Sequence, residues 1–227
     1  MITFKGRHTP KPIILQCVRW YCAYALSYRN IEEMMAERGL IIDHSTLNRW
    51  VVHYAPKLEK AFHKKKRRPG DRWRMDETYI KVKVKGKWKY YYRAVDKEGS
   101  TIDFLLTAKR DTKAALRFFN KAIGRNRNPG LINIDKSGAN KAGINQFNDE
   151  NNRRMKIRQC KYLNNIIEQD HRRVKRITRL MLGFKNFRTA QSTLAGIELV
   201  AMLKKGQMKK NRVGALSPAE QFYALAA

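Results

Sequence analysis

The chain has 227 residues, with 49 Lys and Arg against 19 Asp and Glu and a formal charge of +30. Such an excess repels itself in a folded body unless a polyanion offsets it, so nucleic acid is the leading partner, and the competing readings are a ribosomal or RNA-binding protein or a cationic protein at a membrane surface. No stretch matches the roughly 18 uncharged apolar residues of a membrane span, and Cys17, Cys22 and Cys160 lack the paired spacing of a disulfide framework or a zinc site.

Residues 1–70 carry +9 and residues 71–227 carry +21, so the basic excess is not confined to a small docking head. Gln16 and Arg19 interrupt the N-terminal apolar stretch and no small-residue cleavage site follows, which points to a cytoplasmic protein. The clearest seam is His63-Lys-Lys-Lys-Arg-Arg-Pro-Gly70, a basic run that cannot pack in a core. It reads as a solvated linker, and compatibly as one that also tracks a DNA backbone. The expected domains are 1–66 and 67–227.

In chain order, the first helix is expected over Lys11–Ala25, with Ile14, Val18, Tyr21 and Ala25 at helical spacing. A second starts at the N-cap Ser27 and is stopped by Gly39; a third follows Asp43 or Ser45 as cap, carries Leu47, Trp50, Val51 and Tyr54 inward, and nears its end at Pro56. The short connection Gly39–Asp43 is the spacing of a helix-turn-helix. In that arrangement His44, Thr46, Asn48, Arg49 and His53 of the third helix face the DNA major groove. The alternative is a plain three-helix bundle with a solvated polar face, and the charge favours DNA.

Beyond the seam the period changes to alternation. Trp73, Met75 and Tyr79 point one way and Arg74, Asp76, Thr78, Ile80 and Val82 the other, after which Gly86 turns the chain. Strands Trp88–Val95 and Thr101–Thr107 complete an antiparallel meander. A helix Thr112–Ile123, a buried strand Leu131–Ile134, a loop and helix over Lys136–Asn151, a strand near Arg154–Gln159 and a long helix Asn164–Leu182 follow. This order is that of an α/β, ribonuclease-H-like mixed sheet with flanking helices, preceded here by the small all-α helix-turn-helix domain. A last helix, Thr189–Leu203, offers either an interface or core through Leu194, Ile197 and Leu203.

Asp76 in the middle of the first strand and Asp135 at the end of Leu131–Ile134 are odd places for a charge, because a buried carboxylate needs a partner or a shared cation. If the two strands are neighbours, both carboxylates leave the same edge and make half of a magnesium site. Glu168 on the long helix supplies the third ligand. Lys175 follows it by two turns, about 20° off the same face, and His171, Arg172, Arg173, Arg176 and Arg179 make that helix fit a DNA backbone. Three carboxylates holding two metal ions suit phosphodiester chemistry: water frees a 3′-hydroxyl, which then attacks another strand, with no covalent protein intermediate. Glu77 points to the other strand face and reads as a supporting or structural residue. Asp96, Asp103 and Asp111 read as solvated acids at turns or strand edges, and Asp170 as a cap or an arginine partner.

The segments Trp73-Arg-Met-Asp-Glu-Thr-Tyr79, Lys87-Trp88, Tyr91-Tyr-Arg-Ala-Val-Asp96, Ile134-Asp-Lys136 and Lys161-Tyr-Leu-Asn-Asn-Ile-Ile-Glu-Gln-Asp-His171 with Lys175 resemble one family: the DDE transposases of bacterial insertion sequences, in the group numbered six. Ser27–Glu33 and Gly183-Phe184 extend the likeness over nearly the whole chain. The resemblance implies a ribonuclease-H-like catalytic domain, magnesium dependence with manganese as a substitute, and recognition of terminal inverted repeats by the helix-turn-helix. Asp76, Asp135 and Glu168 fall on the family's three acids, and Lys175 on its basic residue. Double-stranded DNA is the implied partner, as element ends and as target, at the bacterial nucleoid. Pairing two ends implies a homodimer or a higher synaptic assembly. The 32 residues between Asp135 and Glu168 are a couple fewer than usual, the shortfall lying in Ser137–Arg158, a stretch that tolerates length change. The competing expectations are a DNA-binding protein with an inert acidic site and a nuclease that cuts without joining.

Overall fold

The computed structural model describes residues 2–82, 88–181, 183–209 and 216–227. The turn expected at Gly86, Lys87, and the expected helix end at Leu182 lie outside the described residues. Residues 1–67 and 174–227 form one compact unit and residues 68–173 another.

The first unit is helical. α1 (Lys11–Ala23) starts with proline in its first turn. α2 (Tyr28–Ala36) is capped by Ser27, whose hydroxyl accepts from the Asn30 backbone N–H at 3.0 Å while the Asn30 side chain accepts from the Ser27 backbone N–H. α3 (His44–Lys65) is capped by Asp43, which accepts from the Ser45 N–H at 2.8 Å. This helix runs through Pro56 instead of ending near it. Its stripe of Tyr54, Ala55, Leu58 and Phe62 continues past the proline and is buried, so packing outweighs the lost backbone hydrogen bond.

The seam also differs from expectation. His63, Lys64 and Lys65 form the last turn of α3, where cations suit the helix dipole. The next backbone is paired: Arg67 N–H donates to Gln207 C=O at 2.7 Å and Lys209 N–H to Lys65 C=O at 2.8 Å. A basic run can end a helix and join a backbone ladder because only its side chains need water.

α7 (Phe187–Lys204) packs against α1 and α3 and is buried on nearly every side from Thr193 to Leu203, which makes it a core helix of this unit. α8 (Pro218–Ala224) opens with Ser217 and Glu220 in reciprocal capping bonds, a short signal unread in the sequence. The C-terminal helices, expected with the catalytic domain, therefore group with the N-terminal helices. The apolar run of α7 has its covering surfaces there.

The second unit is a five-stranded sheet in the order β3-β2-β1-β4-β5. β1 (Arg72–Lys81), β2 (Trp88–Asp96) and β3 (Thr101–Thr107) are an antiparallel meander, and β4 (Leu131–Ile134) and β5 (Lys156–Gln159) run parallel to β1. The crossover helices are α4 (Thr112–Arg125) and α5 (Gly138–Glu150). Trp73, Met75, Tyr92, Ile132 and Ile134 from the sheet pack with Ala115, Phe118, Phe119, Ile144 and Phe147 from these helices. A single 3-10 turn, Lys161–Asn164, leads into α6 (Asn165–Arg179), within which the boundary between the two units falls.

Gly143 sets how closely α5 approaches α4: a Cβ there would lie 2.7 Å from Ala115 Cβ and 3.2 Å from Leu116 N. Gly138, at the start of the same helix, has nothing within 4 Å. Gly143→Val is expected to cost about 2 kcal/mol or more through overpacking, whereas Gly138→Ala leaves stability within about 0.5 kcal/mol of wild type or above it; urea unfolding of the two variants beside wild type measures both.

Candidate active site

β1 and β4 are neighbours in parallel register, with Arg72 opposite Leu131, Trp73 opposite Ile132 and Arg74 opposite Asn133. Continuing that register sets Asp76 across from Asp135, one residue past the end of β4. The two carboxylates thus leave the same sheet edge, as the sequence predicts. Glu77 joins them: one carboxylate oxygen each from Asp76, Glu77 and Asp135 lies within 4.8 Å of the others. Alternation sends Asp76 and Glu77 to opposite faces, yet a carboxylate oxygen of each comes within this range, so Glu77 stands beside the two aspartates.

Other groups hold these acids. Arg110, in the loop after β3, donates from Nε to Glu77 at 2.8 Å and from an Nη to Asp135 at 3.4 Å. Burial works against its charge, but the Glu77 hydrogen bond and the charges of Glu77 and Asp135 prevail and raise its pKa. Asn140 of α5 donates to the other Glu77 oxygen at 3.0 Å, and the Ser137 N–H donates to Asp135 at 3.0 Å. His171 Nδ1 lies 3.8 Å from Asp76. Arg110 and Asn140 carry no periodic signal in the sequence. Only the close approach of α4 and α5 brings them to Glu77.

Glu168 sits in the first turn of α6 and is exposed. It is outside the 4.8 Å group but close enough for its charge to act on Asp76. Two contacts hold its helix: buried Arg93 of β2 meets Asp170 at 2.7 Å, and Asn133 of β4 donates to Asn164 at 2.7 Å and to Cys160 C=O at 3.1 Å. Asp170 thus pairs with an arginine. Lys175, Arg172, Arg173 and Arg176 are all exposed on α6, while His171 and Val174 are buried. Seven residues separate Glu168 from Lys175, which keeps both on one helix face.

Asp96 and Asp103 are not solvated as expected. Asp96 is buried and accepts from the backbone N–H groups of Gly70, Glu98 and Ser100 at 2.7–3.1 Å, which fixes the β2–β3 turn. Asp103 is buried with Lys121 at 2.9 Å and Arg125 at 3.6 Å. Asp111 caps α4 at the Ala114 N–H. In the helical unit, His44 Nδ1 lies 3.3 Å from both Glu32 and Asp43, Thr46 accepts from Arg49 at 2.8 Å, Asn48 is half-buried, and exposed His53 lies 2.7 Å from Lys57.

Burial pushes the Asp76 carboxyl up to about 7; the Glu77 backbone hydrogen bond opposes this, and the charges of Glu77, Asp135 and Glu168 add to it. An all-oxygen donor set crowded enough to retain a proton fits a hard divalent cation.

Comparison with known proteins agrees. A family model described as a DDE domain matches residues 70–207. The transposase for insertion sequence-like element IS431mec of Staphylococcus aureus is 38% identical over 224 residues, covering 96% of each chain. The chain belongs to the DDE transposases of bacterial insertion sequences. The transposase for insertion sequence element IS257 in transposon Tn4003, also from Staphylococcus aureus, matches with the same identity and coverage. Among solved structures, the HTLV-2 integrase catalytic core domain in complex with magnesium is 15% identical, covering 70% of this chain and 98% of that one, with a TM-score of 0.47. The mixed sheet lies within the residues that the DDE domain matches, and the chemistry of this family member is DDE-type phosphoryl transfer on DNA. Among the described residues no helix is long and apolar enough to cross a membrane.

Because the Asp76 pKa lies above its unfolded value of 3.8, folding favours the protonated form. Its contribution to stability is full below that value and lost as pH rises through about 7. In chelator, Asp76→Asn is expected to raise Tm at pH 8 by on the order of 5 °C and to leave it unchanged near pH 4. Thermal melts at both values measure this.

Proposed function

We propose that the chain cuts DNA at the ends of its own insertion sequence and joins the freed ends to a target, using Asp76, Asp135 and Glu168 as metal-holding acids. The convergence of Asp76 and Asp135 at one open sheet edge carries this reading. Magnesium, or manganese in its place, would be held by these carboxylates and would activate the attacking oxygen while neutralising charge on the phosphate. Glu77 serves as a further oxygen donor or holds the group's shape through Arg110 and Asn140.

The remaining roles follow from charge and exposure. Lys175, with Arg172 and Arg176, holds the phosphates flanking the cut strand, since exposed cations on one helix neutralise a backbone without reading bases. Hydrolysis leaves a 3′-hydroxyl on the element, and attack by that hydroxyl on target phosphorus expels another 3′-oxygen, so the number of phosphodiester bonds is conserved in the joining step. The inverted repeat is read by α3 as the second helix of a helix-turn-helix, through His44, Thr46, Asn48, Arg49 and His53. Burial and the charges of Lys57 and Arg7 lower the His53 pKa in the free chain. Residues 1–66 act as the reading domain, with catalysis in the sheet unit. Two element ends held together need at least two copies of the chain, in the cytoplasm at the nucleoid.

A strand-transfer assay with purified protein, magnesium and a labelled repeat end tests the chemistry. Wild type is expected to give joined product, and Glu168→Gln none, with repeat binding unchanged. Nicked DNA without joined product from wild type would mean a nuclease, and repeat binding with no product from either protein would mean an inert site. For recognition, Arg49→Ala is expected to weaken repeat binding about tenfold, by titration against labelled duplex, while leaving binding to unrelated duplex nearly unchanged.

A further inference from the structure

The β1–β2 ladder continues well past the end of β4. On one of its faces, cross-strand register sets Glu77 against Tyr92, Tyr79 against Tyr90 and Lys81 against Trp88. The inner end of this stripe is covered: Tyr92 is buried against Phe118 of α4, and Glu77 is held by Asn140 of α5. The outer end is open. Tyr79 is 49% exposed, Trp88 is 57% exposed, Tyr90 is half-buried and Lys81 is exposed.

Single exposed aromatic side chains need no explanation. Three in one stripe that begins at a carboxylate group are a different matter. The Tyr79 and Tyr90 rings lie 5.3 Å apart at 52°, and Arg110, bonded to Glu77 and Asp135, is within electrostatic reach of Tyr79. Cations therefore stand at both ends of the rings, Arg110 on the acidic side and Lys81 on the far side.

We propose that Tyr79, Tyr90 and Trp88 form a stacking platform for unpaired DNA bases beside the phosphate being cut. This rests on the transposase reading above. Paired bases in a duplex offer a protein only their edges, whereas an unpaired base offers a ring face, which aromatic side chains accept without regard to sequence. Exposed Lys81, opposite Trp88, suits the sugar-phosphate backbone that accompanies such bases. A second copy of this chain is the poorer occupant, because two bodies each carrying +30 repel at the same cationic surface.

The test compares binding of the full chain to two labelled DNAs, a blunt duplex ending in the inverted repeat and the same duplex with a short unpaired extension at the cut end. Wild type is expected to prefer the extended DNA by about tenfold, the contribution of one stacked base. Tyr79→Ala with Trp88→Ala should abolish that preference while leaving blunt-duplex binding and Tm unchanged. Tyr79→Phe with Trp88→Phe, which keeps the rings, should restore it. Equal wild-type binding to both DNAs, or a preference that survives the alanine pair, overturns the platform and leaves the transposase reading intact. No binding to either DNA overturns both. If the alanine pair instead lowers the mass measured by light scattering, the face is a contact between copies and the platform is rejected.

Discussion

Bringing Asp76, Glu77 and Asp135 within 4.8 Å is the constraint on which the rest of the catalytic unit depends. Like charges at that range repel strongly wherever water is partly excluded, and the unit answers locally. Arg110 bridges two of the acids, Asn140 and the Ser137 N–H donate to their oxygens, and Asp76 holds a proton into neutral pH. These groups come from the loop after β3, the start of α5 and β1. The helix crossing at Gly143, which places Asn140, is therefore as much a part of the site as the strand that carries Asp76.

A second charge lies deeper and has the opposite role. Arg93 faces Asp76 across the β1–β2 register yet pairs with Asp170 on α6. A buried arginine without its partner would be strongly unfavourable, so the pair fixes where α6 can lie against the sheet. Asn133 does the same from β4 by bonding to Asn164 and Cys160. Between them, two buried polar contacts set the start of the helix that bears Glu168. Apolar packing alone would allow that helix to slide or rotate, and a shift of one residue would turn Glu168 away by about 100°.

What was legible in the sequence divides along physical lines. Alternation and an apolar run sufficed for β1 and β4, and two carboxylates at odd positions in them were enough to foresee Asp76 and Asp135 at one edge. Asp43 and Ser27 announced their helices through capping chemistry. The long reach of α3 was hidden, because Pro56 and the lysines after His63 are local stop signals that packing overrode. The closeness of the Glu77 carboxylate to Asp76 and Asp135 was not legible, because alternation gives the face a side chain leaves from and not where its end reaches. Arg110 and Asn140 were invisible, since a loop arginine and a helical asparagine gain meaning only from tertiary approach. The burial of Asp96 and Asp103 was missed for a related reason: an acid among basic and turn residues looks solvated until its partners are seen to close over it.

The distribution of the positive charge makes a last point about the two ends of α6. Its first turn holds Glu168 and its last turn Arg176 and Arg179, the order that the helix dipole favours. An acid near the first N–H groups suits the helix dipole without a basic partner, and Glu168 is exposed there. Arg110, the cation bonded to the acids, is committed to Glu77 and Asp135. The exposed cations further along the helix are then left for phosphate. One helix thereby separates the two charges that DNA chemistry needs, an acid that draws in cations at one end and a basic face that draws in the backbone along its length.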